Sequence, residues 1–169
     1  MRSDYIYKEQ FRHILSALTE ENRLAIEVSL STGLRISDVL ELRLIQLSPR
    51  FTIKERKTGK TKKVVLNNDL LDALLSISGK IFVFEGRTDY RKHRTRQAVY
   101  KDIKRATELF RIKNLNISPH SARKIYAVGQ YKRTCSISRV QELLNHSDEA
   151  VTMLYAMSDE LSQRRKTKK

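Results

Sequence analysis

Ser118-Pro119 marks where a helix has to begin, and the residues after it decide what that helix carries. Serine is an N-cap residue, and proline suits the first turn because it has no N–H to leave unsatisfied. His120 therefore falls at the helix start, with Arg123 three positions on along the same face. An imidazole and a guanidinium are directed at one point, beside free N–H groups and the positive end of a helix dipole. Arginine forks onto phosphate oxygens, so the pair makes half of a phosphate site.

The charge of the chain points the same way. Lys and Arg number 34 against 19 Asp and Glu, a net +15 over 169 residues. Such an excess asks for a polyanion, with double-stranded DNA ahead of an anionic membrane. No apolar run approaches spanning length and no basic-then-apolar leader opens the chain, so a soluble, cytoplasmic protein is expected. The single Cys135 suits a reducing compartment. Four scattered His, no close carboxylate cluster and no Gly-rich phosphate loop lead us to expect neither a metal site nor a cofactor.

Periodicity predicts a mainly α fold with a small β-hairpin. Phe11, Ile14, Leu15 and Leu18 recur at helical spacing over 8–18. A second helix starts near Thr19 and carries Leu24, Ile26, Val28 and Leu30 down to Gly33, a C-terminal cap. Arg35 follows at a junction, before a short helix holding Val39, Leu40 and Leu42. Taken alone, Arg35 would be a solvated side chain. Segments 51–56 and 61–66 are rich in β-formers and are joined by Lys57-Thr58-Gly59-Lys60, which places Lys57 at a hairpin tip. A helix over Leu70 to Leu75 and a short buried extended piece at 81–84 come next, the latter with no evident partner. Thr95 caps a helix running to Phe110. The most basic stretch, with Arg87, Arg91, Lys92, Arg94, Arg96 and Lys101 around Tyr90 and Tyr100, is expected to track a DNA backbone. A last predicted helix, 137–144, ends at Asn145 and His146; a short apolar segment then holds Tyr155, and a basic tail occupies 159–169.

What raises these pieces above ordinary surface chemistry is their conjunction. Thr32-Gly33-Leu34-Arg35-Ile36-Ser37-Asp38, Lys57-Thr58-Gly59, His120-Ser121-Ala122-Arg123 and Leu144-Asn145-His146 occur in this order, with Tyr155 nine positions beyond the histidine. Across most of its length the chain resembles the tyrosine recombinase (phage integrase) family. Two departures are visible: Asn145 stands where the family usually has Gly, and Lys124 follows Arg123 where many members carry His. Neither removes a catalytic group.

The resemblance implies a recombinase catalytic-domain fold, and a reaction that cuts and rejoins DNA through a 3′-phosphotyrosyl intermediate without ATP or metal. It implies Tyr155 as nucleophile, Arg35 and Arg123 as holders of the phosphate, and His146 as a further hydrogen-bond donor. His120 would accept or orient the tyrosine proton, Lys57 would protonate the departing 5′-oxygen, and Asp38 would orient a cationic group. It also implies a tetrameric synapse on DNA. Most members carry a preceding helical domain that clamps the far side of DNA. Here the first catalytic motif begins by residue 32, so 1–169 is expected to be a single catalytic domain. A topoisomerase IB-like relaxing enzyme and a non-catalytic DNA-binding regulator of the same fold are the alternatives.

Overall fold

The computed structural model describes residues 3–145; His146, Tyr155 and the basic tail lie outside the described residues. In chain order the elements are α1 (Lys8–Leu15), α2 (Glu20–Thr32), α3 (Ile36–Leu40), a single 3-10 turn (Leu44–Gln46), β1 (Arg50–Lys54), β2 (Thr61–Val65), α4 (Asn68–Ile77), α5 (Arg96–Leu109), α6 (Pro119–Thr134) and α7 (Ile137–Leu144). The two strands form an antiparallel hairpin in which Arg50 faces Val65 and Lys54 faces Thr61. The expected mainly helical fold with a small hairpin is borne out.

Local chemistry explains most of the element starts. The side chains of Asn67, Thr95, Ser118 and Ser136 each accept a backbone N–H from the first turn of α4, α5, α6 and α7 respectively. Pro119 occupies the first turn of α6, as predicted. The first helix is shorter than its periodicity suggests. After Leu15 the chain tightens, Ala17 donating to Ile14 and Leu18 to Leu15, so Leu18 stays in the core although the helix has ended. Thr19 does not cap α2 with its hydroxyl. Its N–H and Oγ1 both donate to Asp102 Oδ2 on α5, at 2.9 and 3.1 Å.

Asp102 joins α2 to α5. It is buried and also receives Asn22 Nδ2 at 2.8 Å and Arg105 Nη2 at 2.7 Å. Burial alone would push its carboxyl up, but the bonds from Asn22, Thr19 and Arg105 outweigh it and hold the pKa below the ordinary value. The extended piece at 81–84 finds its partner just after α3: Leu44 N–H donates to Ile81 O and Val83 N–H to Leu42 O, both at 2.9 Å. One hydrophobic cluster then unites Phe11 and Ile14 of α1, Leu24 of α2, Leu40 of α3, Ile53 and Val64 of the hairpin, Leu74 of α4, Ile103 of α5 and Ala122 of α6. The α7 helix packs Val140 and Leu144 against Ala127 of α6 in a second, smaller cluster.

Gly33 ends α2 in the left-handed region, at φ 70°, where a side chain is strained. A Cβ at this position would run into the ring of Tyr126 on α6. We expect Gly33→Ala to lose about 2–4 kcal/mol, combining the left-handed penalty with overpacking. A urea titration checks this through a lower midpoint at unchanged slope. An unmoved midpoint would mean that neither the left-handed backbone nor the Tyr126 ring resists a side chain here.

Candidate active site

The left-handed turn at Gly33 delivers Arg35. Ser29 Oγ donates to Leu34 O at 2.7 Å, and Leu34 N–H reaches Thr32 Oγ1 at 3.2 Å, so the short link between α2 and α3 is held from both sides. Arg35 is the extended residue before α3. Its Nη1 donates to Glu55 Oε2 at 3.0 Å, with the two side chains 11% and 0% exposed. Asp38, in the first turn of α3, is buried and accepts the N–H of Arg56 at 3.1 Å. Burial raises its pKa, the neighbouring Glu55 charge adds to the rise, and the Arg56 bond opposes it.

The opposite wall comes from α6. His120 is exposed in the first turn, its N–H donating to Ser118 Oγ at 3.2 Å. Arg123, one turn on, is only 1% exposed. Its Nη1 donates to Gly33 O and its Nη2 to Leu144 O at 2.8 Å, joining the end of α2 to the end of α7. A cavity of about 440 Å³ lies between these elements, lined by Arg35, Ser37, His120 and Arg123 and by Arg96, Gln97 and Tyr100 from the start of α5. Arg35 thus shares one cavity with His120 and Arg123, which lie more than 80 residues further along the chain.

The other predicted residues are placed as follows. Lys57 is exposed in the turn between the strands and does not line the cavity. Arg87 and Lys101 are exposed; Arg91 and Lys92 are exposed and pair with Asp89 at 3.1 and 3.8 Å. Arg94 is drawn inward, donating to Asn22 Oδ1 at 2.6 Å and lying 3.6 Å from Glu21. Arg96, grouped with the DNA-tracking stretch, sits in the cavity wall. Lys124 is buried and donates to Ser3 O at the N-terminal segment. Asn145 caps α7 at φ 53°, a left-handed residue where glycine is the usual choice and asparagine the best-tolerated substitute. Among the described residues no three His, Cys, Asp or Glu side chains gather as metal ligands.

Two residues of the site were missed in the sequence. Glu55 and Lys62 are not among the residues singled out above, yet strand alternation places Glu55 on the face of Ile53 and Lys62 on the face of Val64, both of which are buried. Lys62 is 9% exposed, donates to Leu143 O at 2.7 Å and lies 5.6 Å over the ring of Tyr126. Burial, reinforced by the Arg123 charge and only partly offset by Glu55, lowers its pKa to about 8.

With that geometry in hand, the comparisons with known proteins are consistent. The model of the phage integrase family matches residues 4–161. The chain belongs to that family. A tyrosine recombinase of Thermosipho africanus is 29% identical over 163 residues, a match covering 90% of this chain and 56% of that protein. In fold the chain is similar to a lambda integrase dimer bound to a COC′ core site, with a TM-score of 0.74 at 19% identity, covering 90% of this chain and 48% of that one. It is similar also to the lambda integrase catalytic core, with a TM-score of 0.70 at 20% identity, covering 85% of this chain and 91% of that one. The chain spans about half the length of most of the curated relatives it matches.

A testable consequence attaches to Lys62. Its folded pKa of about 8 lies below the ordinary lysine value of 10.5, so below pH 8 the proton is held in both states and the folded state bears the cost of the buried charge. Between pH 8 and 10.5 the unfolded chain binds more protons, and stability rises with pH. Comparing urea unfolding of the wild type and Lys62→Met across that window should show a wild-type gain on the order of 3 kcal/mol that the variant lacks. Parallel curves would show that the amine titrates normally.

Proposed function

We propose that this chain is the catalytic domain of a site-specific DNA recombinase or integrase, cutting and rejoining strands through a 3′-phosphotyrosyl link on Tyr155. The observation that carries this reading is the shared cavity of Arg35, His120 and Arg123 at the start of α6, in a member of the phage integrase family. Negative charge grows on the nonbridging oxygens of a phosphodiester under attack, and fixed cations facing those oxygens stabilise it. Arg35 supplies a donor fork held by Glu55. Arg123, anchored by the Gly33 and Leu144 carbonyls, adds its charge at close range. His120 takes or orients the Tyr155 proton, His146 adds a hydrogen bond, and Lys57 protonates the departing 5′-oxygen.

Arg87, Arg91, Lys92, Arg96 and Lys101 are the phosphate-tracking side chains of the proposal, and of these Arg96 lines the cavity. Arg94, 18% exposed and held by Asn22 and Glu21, serves the fold first. Lambda integrase has been seen as a dimer on a core site and as a tetramer on a Holliday junction. By analogy, oligomerisation on double-stranded DNA belongs to this proposal, as do a cytoplasmic location and the reading of 1–169 as one catalytic domain. No helix among the described residues is long and apolar enough to cross a membrane.

A nicked duplex that releases its cleaved end traps the covalent intermediate. The wild type should form a protein–DNA band, and Tyr155→Phe should abolish it while leaving duplex binding nearly intact. An adduct from the phenylalanine variant would sink the assignment of the nucleophile. Duplex affinity should fall with log salt at a slope of about −5 to −9, as six to ten phosphate contacts require; a flat response would remove the DNA-tracking surface. Lys57→Ala should slow cleavage by roughly a hundredfold. Replacing the bridging 5′-oxygen with sulfur should restore its rate, because a thiolate leaves without a proton, and equal impairment on both substrates would make Lys57 a binding residue.

A further inference from the structure

Glu55 is a carboxylate where the hairpin offers an apolar position. It follows Phe51 and Ile53 on the inward face of the first strand, and its side chain is fully buried. Burying a carboxylate is costly unless partners hold it, and in Glu55 Oε1 is buried without a hydrogen bond, so Oε2 carries all of them. Its Oε2 accepts two: from Arg35 Nη1 at 3.0 Å and from Thr58 Oγ1 at 3.1 Å. The main chain of Glu55 closes the same turn, its carbonyl accepting Gly59 N–H at 2.8 Å and its N–H donating to Lys60 O at 2.9 Å. Lys57 lies inside this turn. Its neighbour on one side, Arg56, donates its N–H to Asp38; its neighbour on the other, Thr58, donates to Glu55. Both anchors lead to the segment that presents Arg35.

We propose that Glu55 is a positioning residue that couples the Lys57 turn to Arg35, one carboxylate oxygen joining the group that clamps the phosphate to the group that protonates the leaving oxygen. The proposal rests on the strand-cleavage reading above. A lysine on an unattached hairpin tip would sample many positions; tying the residues on either side of it to the Arg35 segment narrows its approach to the scissile bond. A purely structural Glu55, present only to neutralise Arg35, would need no bond to Thr58.

The experiment compares Thr58→Val and Glu55→Ala in the whole chain, on nicked duplexes with a bridging 5′-oxygen or 5′-sulfur. Thr58→Val removes the link to Glu55, together with the weaker bond that Thr58 Oγ1 accepts from Lys60 N–H at 3.3 Å, at a half-buried site that does not threaten the fold. It should slow adduct formation about three- to tenfold with oxygen, the equivalent of one hydrogen bond, and match the wild type with sulfur. Glu55→Ala should be slower and only partly recovered by sulfur, because Arg35 also loses its partner. Trypsin reads the turn without reference to activity, and both variants should be cut faster after Arg56 and Lys57 than the wild type. If Thr58→Val is equally slow with oxygen and sulfur, or cleaves and resists trypsin like the wild type, the coupling does not exist. A wild-type chain that forms no adduct would defeat the strand-cleavage reading and this role together, whereas a wild-type adduct with Thr58→Val unaffected would defeat this role alone.

Discussion

Arg123 reaches from the second turn of α6 to a carbonyl 90 residues upstream and another 21 residues downstream, from a position that is only 1% exposed. Three segments that share no sequence neighbourhood, the end of α2, the start of α6 and the end of α7, meet on one guanidinium. Carbonyl groups at helix ends are left without partners by the helix itself, and Gly33 O and Leu144 O both lie at such ends. A delocalised, permanently charged fork suits that task better than a lysine would. Losing it would leave two buried acceptors unmatched and the cavity without its floor.

Around Arg123 the charges are arranged as a set. Arg35, Lys62 and Arg123 stand against Asp38 and Glu55, and Lys62 senses all four of the others. The cations are in excess by one. The arrangement has a cost in the folded state, visible in the lowered pKa of Lys62 and the raised pKa of Asp38. Natural sites hold such strained charges where function requires them and offset them elsewhere. Here the offset comes from the apolar cluster that runs from α1 through the hairpin to α6.

Much of this was legible in the chain. Ser118, Thr95 and Gly33 announced their helix ends through side-chain or backbone chemistry that acts locally, and the hairpin declared itself through Thr58-Gly59 between two β-rich runs. Arg35, His120 and Arg123 were found through their order along the chain, and the structure brings them to one cavity. Partnerships made at long range were hidden. Thr19 looks like a cap until Asp102, 83 residues away, takes its hydroxyl. Arg94 belongs by composition to a basic surface and by geometry to Asn22. Glu55 and Lys62 carry a usable signal, a charged residue in phase with buried neighbours on a strand, but nothing local shows that Arg35 and the Leu143 carbonyl fold against them.

Asn145 closes α7 with a left-handed backbone, while Lys62 holds the carbonyl of Leu143 and Arg123 that of Leu144. Glycine at such a position is conformationally free before folding and has to surrender that freedom afterwards. Asparagine has less to surrender. Against that gain stands the strain of a side chain at φ 53°, and the last turn of α7 is held by two cations supplied by the hairpin and by α6. A helix of 8 residues, too short to persist alone in water, acquires a defined end from outside itself.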